Sequence, residues 1–121
     1  MASTAYHALI RTHHITSRKK VAHLRKAADK YACYALLRSG GSPGIMYCRG
    51  SDEGVKEWVA TVQKLRYKDF QLVAKPARVE PDTPVSEEQP GLVELETVRE
   101  FADAMEKRGI LSWWSRAMGY S

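Results

Sequence analysis

Two cysteines in 121 residues, Cys33 and Cys48, are too few for a disulfide framework. Each lies inside an apolar stretch, which suits a small buried side chain in a reducing compartment. No run approaches the roughly 20 consecutive apolar residues that cross a bilayer, and MASTAYHALIRTHH lacks the charged start and long apolar core of a secretory signal. A soluble, intracellular chain, nuclear or cytoplasmic, is therefore expected. The five prolines are also scarce where strands or helices are read, because three of them fall in one segment, EPDTPVSEEQPG, residues 80–91. Catalytic signatures are missing as well: there is no G-x-S-x-G, no H-E-x-x-H, and no Lys-Ser/Thr after the glycine-rich SGGSPG. The chain reads as a non-enzyme with no cofactor and no small-molecule substrate.

What is plentiful is basic charge, unevenly placed. Residues 1–79 carry fifteen Lys or Arg against five Asp or Glu, a balance of +10, while residues 80–121 carry four against nine, a balance of −5. A basic body with an acidic tail suits a polyanion partner. With 44% hydrophobic residues the length matches one domain able to bury its own core.

Periodicity supplies the element order. YHALIRT alternates as a half-buried strand, with Tyr6, Ala8 and Ile10 on one side and His7, Leu9 and Arg11 on the other. The period lengthens at ITSRKKVAHLRKAADKYA, where Thr16 or Ser17 can cap a helix over about 17–32 bearing Val21, Leu24, Ala28 and Tyr31. Tyr34–Arg38 and Ile45–Arg49 read as a hairpin around a Gly/Ser/Pro turn. Ser51 then caps a second helix, with Asp52 and Glu53 in its first turn and Val55, Trp58, Val59, Val62 and Leu65 on one stripe. A last strand carries Phe70, Leu72 and Ala74 against Gln71, Val73 and Lys75.

This order predicts an α+β, ferredoxin-like βαββαβ sandwich: a four-stranded antiparallel sheet with two helices on one face. The single domain 1–121 would have its core over about 5–79, an acidic, mobile connector over 80–91, and a C-terminal helical segment over 92–119. That segment holds one helix with Val98, Phe101, Ala102 and Met105, a stop at Gly109, and a shorter helix with Trp113 and Trp114.

Candidate sites come next. His13 and His14 are neighbours on a strand and point to opposite faces, and neither His7, His23, Cys33 nor Cys48 stands at a metal-ligand spacing, so no metal site is expected. Arg18, Lys19 and Lys20 occupy the first turn of a helix, where each cation opposes the macrodipole by about 0.3 to 1 kcal/mol. Residues that are locally unfavourable point to a partner, and a helix N-terminus with three cations suits phosphate. The sheet face turned away from the helices is the second candidate, since Arg11, Tyr47, Arg49 and Lys75 on it could stack bases and hold phosphates. Alternatively the C-terminal helices fold back over that face.

Three stretches, HHITSRKK, GIMYCRGSDEGVKEWVATVQKLRYKDF and VREFADAMEKRGILSWWSRAM, resemble in that order the C-terminal domain shared by spliceosomal pre-mRNA-processing factor three and the RWD-domain-containing protein two group. The resemblance spans most of residues 6–118 and rests on the strand-end His-His-Ile, on Gly50, Trp58, Leu65 and the following RYK, and on Phe101 with Gly109 ahead of the aromatic helix. It implies a ferredoxin-like domain with added C-terminal helices. In the splicing factor it implies contact with small nuclear RNA, carried over here to Lys19, Lys20, Arg49, Arg66 and Lys68. With no RWD region upstream, a stand-alone copy or a fragment is expected. The expected function is RNA binding, possible in a ribonucleoprotein, through Arg11, His13, Arg18, Lys19, Lys20, Tyr47, Arg49, Arg66, Lys68 and Lys75. The alternative is a protein-interaction module using the connector with Trp113 and Trp114. A monomer is expected, with self-pairing through the hairpin edge as a weaker reading.

Overall fold

The computed structural model describes residues 4–80 and 89–120. Its elements run β1 (Tyr6–Thr12), α1 (Arg18–Lys30), β2 (Tyr34–Arg38), β3 (Gly44–Gly50), α2 (Asp52–Lys64), β4 (Gln71–Arg78), β5 (Gly91–Leu95), α3 (Val98–Lys107) and α4 (Leu111–Met118). Local chemistry explains the helix starts. The Ser17 hydroxyl accepts from the Lys20 amide at 3.2 Å, Ser51 from Gly54 at 3.0 Å and Thr97 from Glu100 at 3.0 Å, each satisfying one of the amides a helix start leaves open.

The strands form one five-stranded sheet in the order β4-β1-β3-β2-β5. Its first four strands pair antiparallel in the βαββαβ arrangement. The expected four-stranded, wholly antiparallel sheet is corrected by β5, which adds in parallel to β2 with Leu36 opposite Val93. Residues 91–95 had been placed at the connector's end and in the C-terminal helical segment. They form a strand because Leu92 and Glu94 alternate with Val93 and Leu95, and because the Thr97 cap delays the helix to Val98. The acidic connector lies largely over 81–88, outside the described residues.

Period-two alternation along the strands builds two cores. On one face Ala8, Ile10, Ala35, Leu37, Met46 and Cys48 pack against Val21 and Leu24 of α1 and Val55, Trp58 and Val62 of α2. On the other, Leu9, Leu36, Ile45 and Tyr47 pack against Phe101, Met105, Ile110, Trp114 and Met118. A register shift between Leu9 and Ile10 places both Val73 and Ala74 against this second core, so Ala74 leaves the face it was expected to share with Leu72. Among the described residues no helix is long and apolar enough to cross a membrane.

Candidate nucleic-acid interface

The joint between β1 and α1 is tied to the loop between α2 and β4. The His13 amide donates to the Lys68 carbonyl at 2.9 Å, and the Gly44 amide donates to the His13 carbonyl at 2.5 Å. Gly44 is required by this approach, because a Cβ there would collide with Thr12 Oγ1, Ile15 Cγ1 and the His13 carbonyl. The loop turns twice through left-handed backbone, at Arg66 with φ 53° and Asp69 with φ 55°, and so returns to the strand end. Asp adopts that region readily; Arg seldom does.

This closure brings distant residues together. A cleft of about 420 Å³ at the N-terminal end of α1 is lined by His13, His14, Thr16, Ser17, Lys20, Arg66, Tyr67 and Lys68. Its wall therefore carries three basic side chains, two aliphatic hydroxyls, one phenol and two imidazoles beside the positive end of a helix dipole. No acidic side chain lines it. The Lys20 ammonium stands over the Tyr67 ring, 5.0 Å from its centroid. The Tyr67 hydroxyl is buried without a hydrogen-bond partner among the described residues, and burial pushes the phenol up to about 12. It therefore keeps its proton at neutral pH as a donor left unmatched by the described residues.

A second cleft of about 420 Å³ lies on the other side of His13, lined by Arg11, Thr12, His13, Ser42, Pro43, Asp69, Phe70 and Gln71. His13 borders both, and its Nδ1 stands 3.6 Å from Asp69 Oδ2.

Of the residues singled out by sequence, Arg11, His13, Lys20, Arg66 and Lys68 thus converge on the two clefts. Lys19, exposed on the first turn of α1, and Lys75, exposed on β4, line neither cleft. Three of the expected contacts need correction. Arg18 is held by its own chain: its guanidinium donates twice to Glu94 on β5, both at 2.8 Å, and Glu94 also receives Arg25 at 3.2 Å and Ser39 at 3.1 Å. These donors hold the Glu94 carboxyl below the usual carboxylate range, the Arg18 hydrogen bond foremost. The misplaced cation at the helix start is answered, for Arg18, by a strand the sequence reading did not contain.

Tyr47 and Arg49 are the other two. The open sheet face to which they were assigned is covered by α3 and α4, leaving them 0% and 8% exposed. Tyr47 packs edge-on against Trp113, and its hydroxyl meets His7 Nδ1 at 3.0 Å. His7 stacks on Trp113 with centroids 4.0 Å apart, and burial, aided by the Arg49 charge, lowers its pKa to about 4. Trp114 is buried against Phe101. Trp114 is thus buried in attaching α4, while Trp113, stacked on His7, stays partly exposed. No group of three metal-ligating side chains occurs among the described residues.

Sequence reasoning passed over Tyr67, Thr16 and Ser17 as site residues in the first cleft, and Pro43, Asp69 and Phe70 in the second, while Gln71 was expected on the outward sheet face. RYKDF held the signal, with cations interleaved among aromatics directly after a helix.

No protein-family model and no curated protein matches the chain. Among solved structures it is similar to BlrP1 BLUF, with 16% identity and a TM-score of 0.59 over 93% of this chain and 77% of that one. At that identity the likeness is one of fold, a mixed α+β, ferredoxin-like arrangement with a five-stranded sheet and four helices.

Proposed function

We propose that the chain is a non-catalytic RNA-binding module whose contact surface is the strand-end cleft at the start of α1, not the sheet face. One observation carries this: His13, Lys20, Arg66 and Lys68, from two segments far apart in sequence, converge with the N-terminal end of a helix on a cleft lined by no acid. Backbone phosphates need that combination, charge for affinity and amides and hydroxyls for register.

Within this reading the chain is a relative of the splicing-factor domain and works intracellularly as a monomer, on small nuclear RNA or in another ribonucleoprotein. The contact set shrinks to the residues that line the clefts, Arg11, His13, Lys20, Arg66 and Lys68. The alternative, docking of a protein through Trp113 and Trp114, has less to rest on, since Trp114 is buried and Trp113 is stacked on His7 with only part of its surface exposed.

Chemical-shift mapping with single-stranded and duplex RNA tests the proposal. Signals around Lys20, Arg66 and Lys68 should move, with affinity falling steeply as salt rises. Undisturbed signals there at low salt would remove it.

A further inference from the structure

The second cleft differs from the first in chemistry. It carries an aromatic ring, Phe70, the flat face of Pro43, an amide, Gln71, a guanidinium, Arg11, and one carboxylate, Asp69. A carboxylate weakens a general phosphate site, so its presence calls for a different ligand group. The walls are also fixed in place. Arg38 donates to the Pro43 carbonyl at 2.8 Å, and the Gly44 and His13 amides tie the hairpin turn and the loop before β4 to the same strand end. Asp69 is held at the loop's second left-handed residue with Oδ2 facing His13, which leaves Oδ1 without a partner among the described residues.

We propose that this cleft reads one nucleobase, a guanine, next to a phosphate seated in the α1 cleft, with Asp69 and Arg11 as the specificity-determining pair. The inference rests on the RNA reading above. A volume of about 420 Å³ accommodates a nucleoside, and Phe70 and Pro43 supply surfaces for its flat face. The edge chemistry selects among the bases. Guanine alone presents adjacent donors, N1–H and the N2 amine, to a carboxylate, together with the O6 and N7 acceptors that a guanidinium matches. Uracil offers one donor flanked by two acceptors, and cytosine and adenine each set a ring acceptor beside their amine, which would face Asp69 with like polarity. Gln71, able to donate or accept, completes the edge without deciding it. His13, bordering both clefts, stands where the sugar linking phosphate to base would pass.

The test measures affinity of the full chain by fluorescence anisotropy for short oligouridines and the same oligomers with one central guanosine. The guanosine oligomer should bind about tenfold tighter, and inosine, which lacks the N2 amine, should recover only part of that gain. Asp69→Asn should bring the preference to about twofold or less while leaving oligouridine affinity unchanged or higher, since asparagine tolerates the left-handed backbone and removes a negative charge. Lys20→Ala should weaken both oligomers equally. Equal affinity for both in the wild-type chain, or an Asp69→Asn loss shared equally by both, would overturn the base-reading site while leaving the RNA reading intact. A preference for cytidine or adenosine over guanosine would overturn it as well. Binding of neither oligomer at low salt would overturn both.

Discussion

The two faces of the sheet look alike in composition and differ in how they are finished. Beneath α1 and α2, Trp58 is fully buried and donates its indole N–H to the Leu24 carbonyl at 3.2 Å. Beneath α3 and α4, Trp114 is buried to 3% exposure, yet its indole N–H has no partner among the described residues. A buried histidine lies on that side too. Each face thus leaves a buried polar group unmatched among the described residues, the Tyr67 hydroxyl on the first and the Trp114 indole on the second, but only the second also buries a histidine, which makes it the more sensitive to solution conditions.

The largest effects should come from emptying either core. Trp58→Ala and Trp114→Ala should each lose about 3–5 kcal/mol in urea denaturation. The comparison sharpens with phenylalanine. Trp58→Phe strips a second hydrogen bond from a helical carbonyl and should cost about 1 kcal/mol beyond its packing loss, whereas Trp114→Phe removes an unmatched donor and carries no such term. Equal losses for the two phenylalanine variants would erase the distinction between the faces.

Acid should attack the second face first. The imidazole of the unfolded chain titrates near 6.5 and that of folded His7 near 4, so between those values the unfolded chain binds a proton that the folded chain refuses. Stability contributed by neutral His7 is whole above pH 6.5, declines as pH falls and is gone below 4, by about 3 kcal/mol in all. His7→Gln should flatten that part of the pH profile, whatever it costs at neutrality, and the α4 tryptophan signals should report the change.

RNA affinity offers a test of the same contrast. Lys20→Ala should lower it several-fold and reduce the slope of log affinity against log salt by about 1. Trp113→Leu should leave it within about twofold, because that ring belongs to the covered face. Smallest is the attachment of β5 to α1: Glu94→Gln should cost less than about 1 kcal/mol, given that Arg18 is mostly exposed. Hydrogen exchange at the β2–β5 ladder is the measurement, and faster exchange confined to β5 is the expected result.

Legibility in the sequence followed the range of the interaction. Caps at Ser17 and Ser51, the stripe from Val55 to Val62 and the alternation of β1 are all local, and all were readable. The strand at Gly91–Leu95 was not, because its partner β2 lies more than fifty residues earlier and parallel pairing leaves no turn signature. Ala74 was misassigned for a related reason, since a bulge changes facing without changing the alternation of residue types. For the site, basic residues could be nominated from charge pattern, but their accessibility could not. Tyr47 and Arg49 look like surface contacts until α4 covers them, and Arg18 looks unpartnered until Glu94 arrives from β5.

By itself the sequence determined where α1 and α2 begin, which residues are apolar enough to form two faces, and that the first two thirds of the chain would be strongly basic. Those properties depend on neighbours within a few residues, where capping, dipole and periodicity operate. Only the tertiary structure decided which face closes, which cation is neutralised within the chain, and that Lys20, Arg66, Lys68 and Asp69 gather around His13. These outcomes depend on backbone hydrogen bonds between segments some thirty to sixty residues apart, such as His13 to Lys68 and Gly44 to His13, whose partners are not encoded in either segment alone.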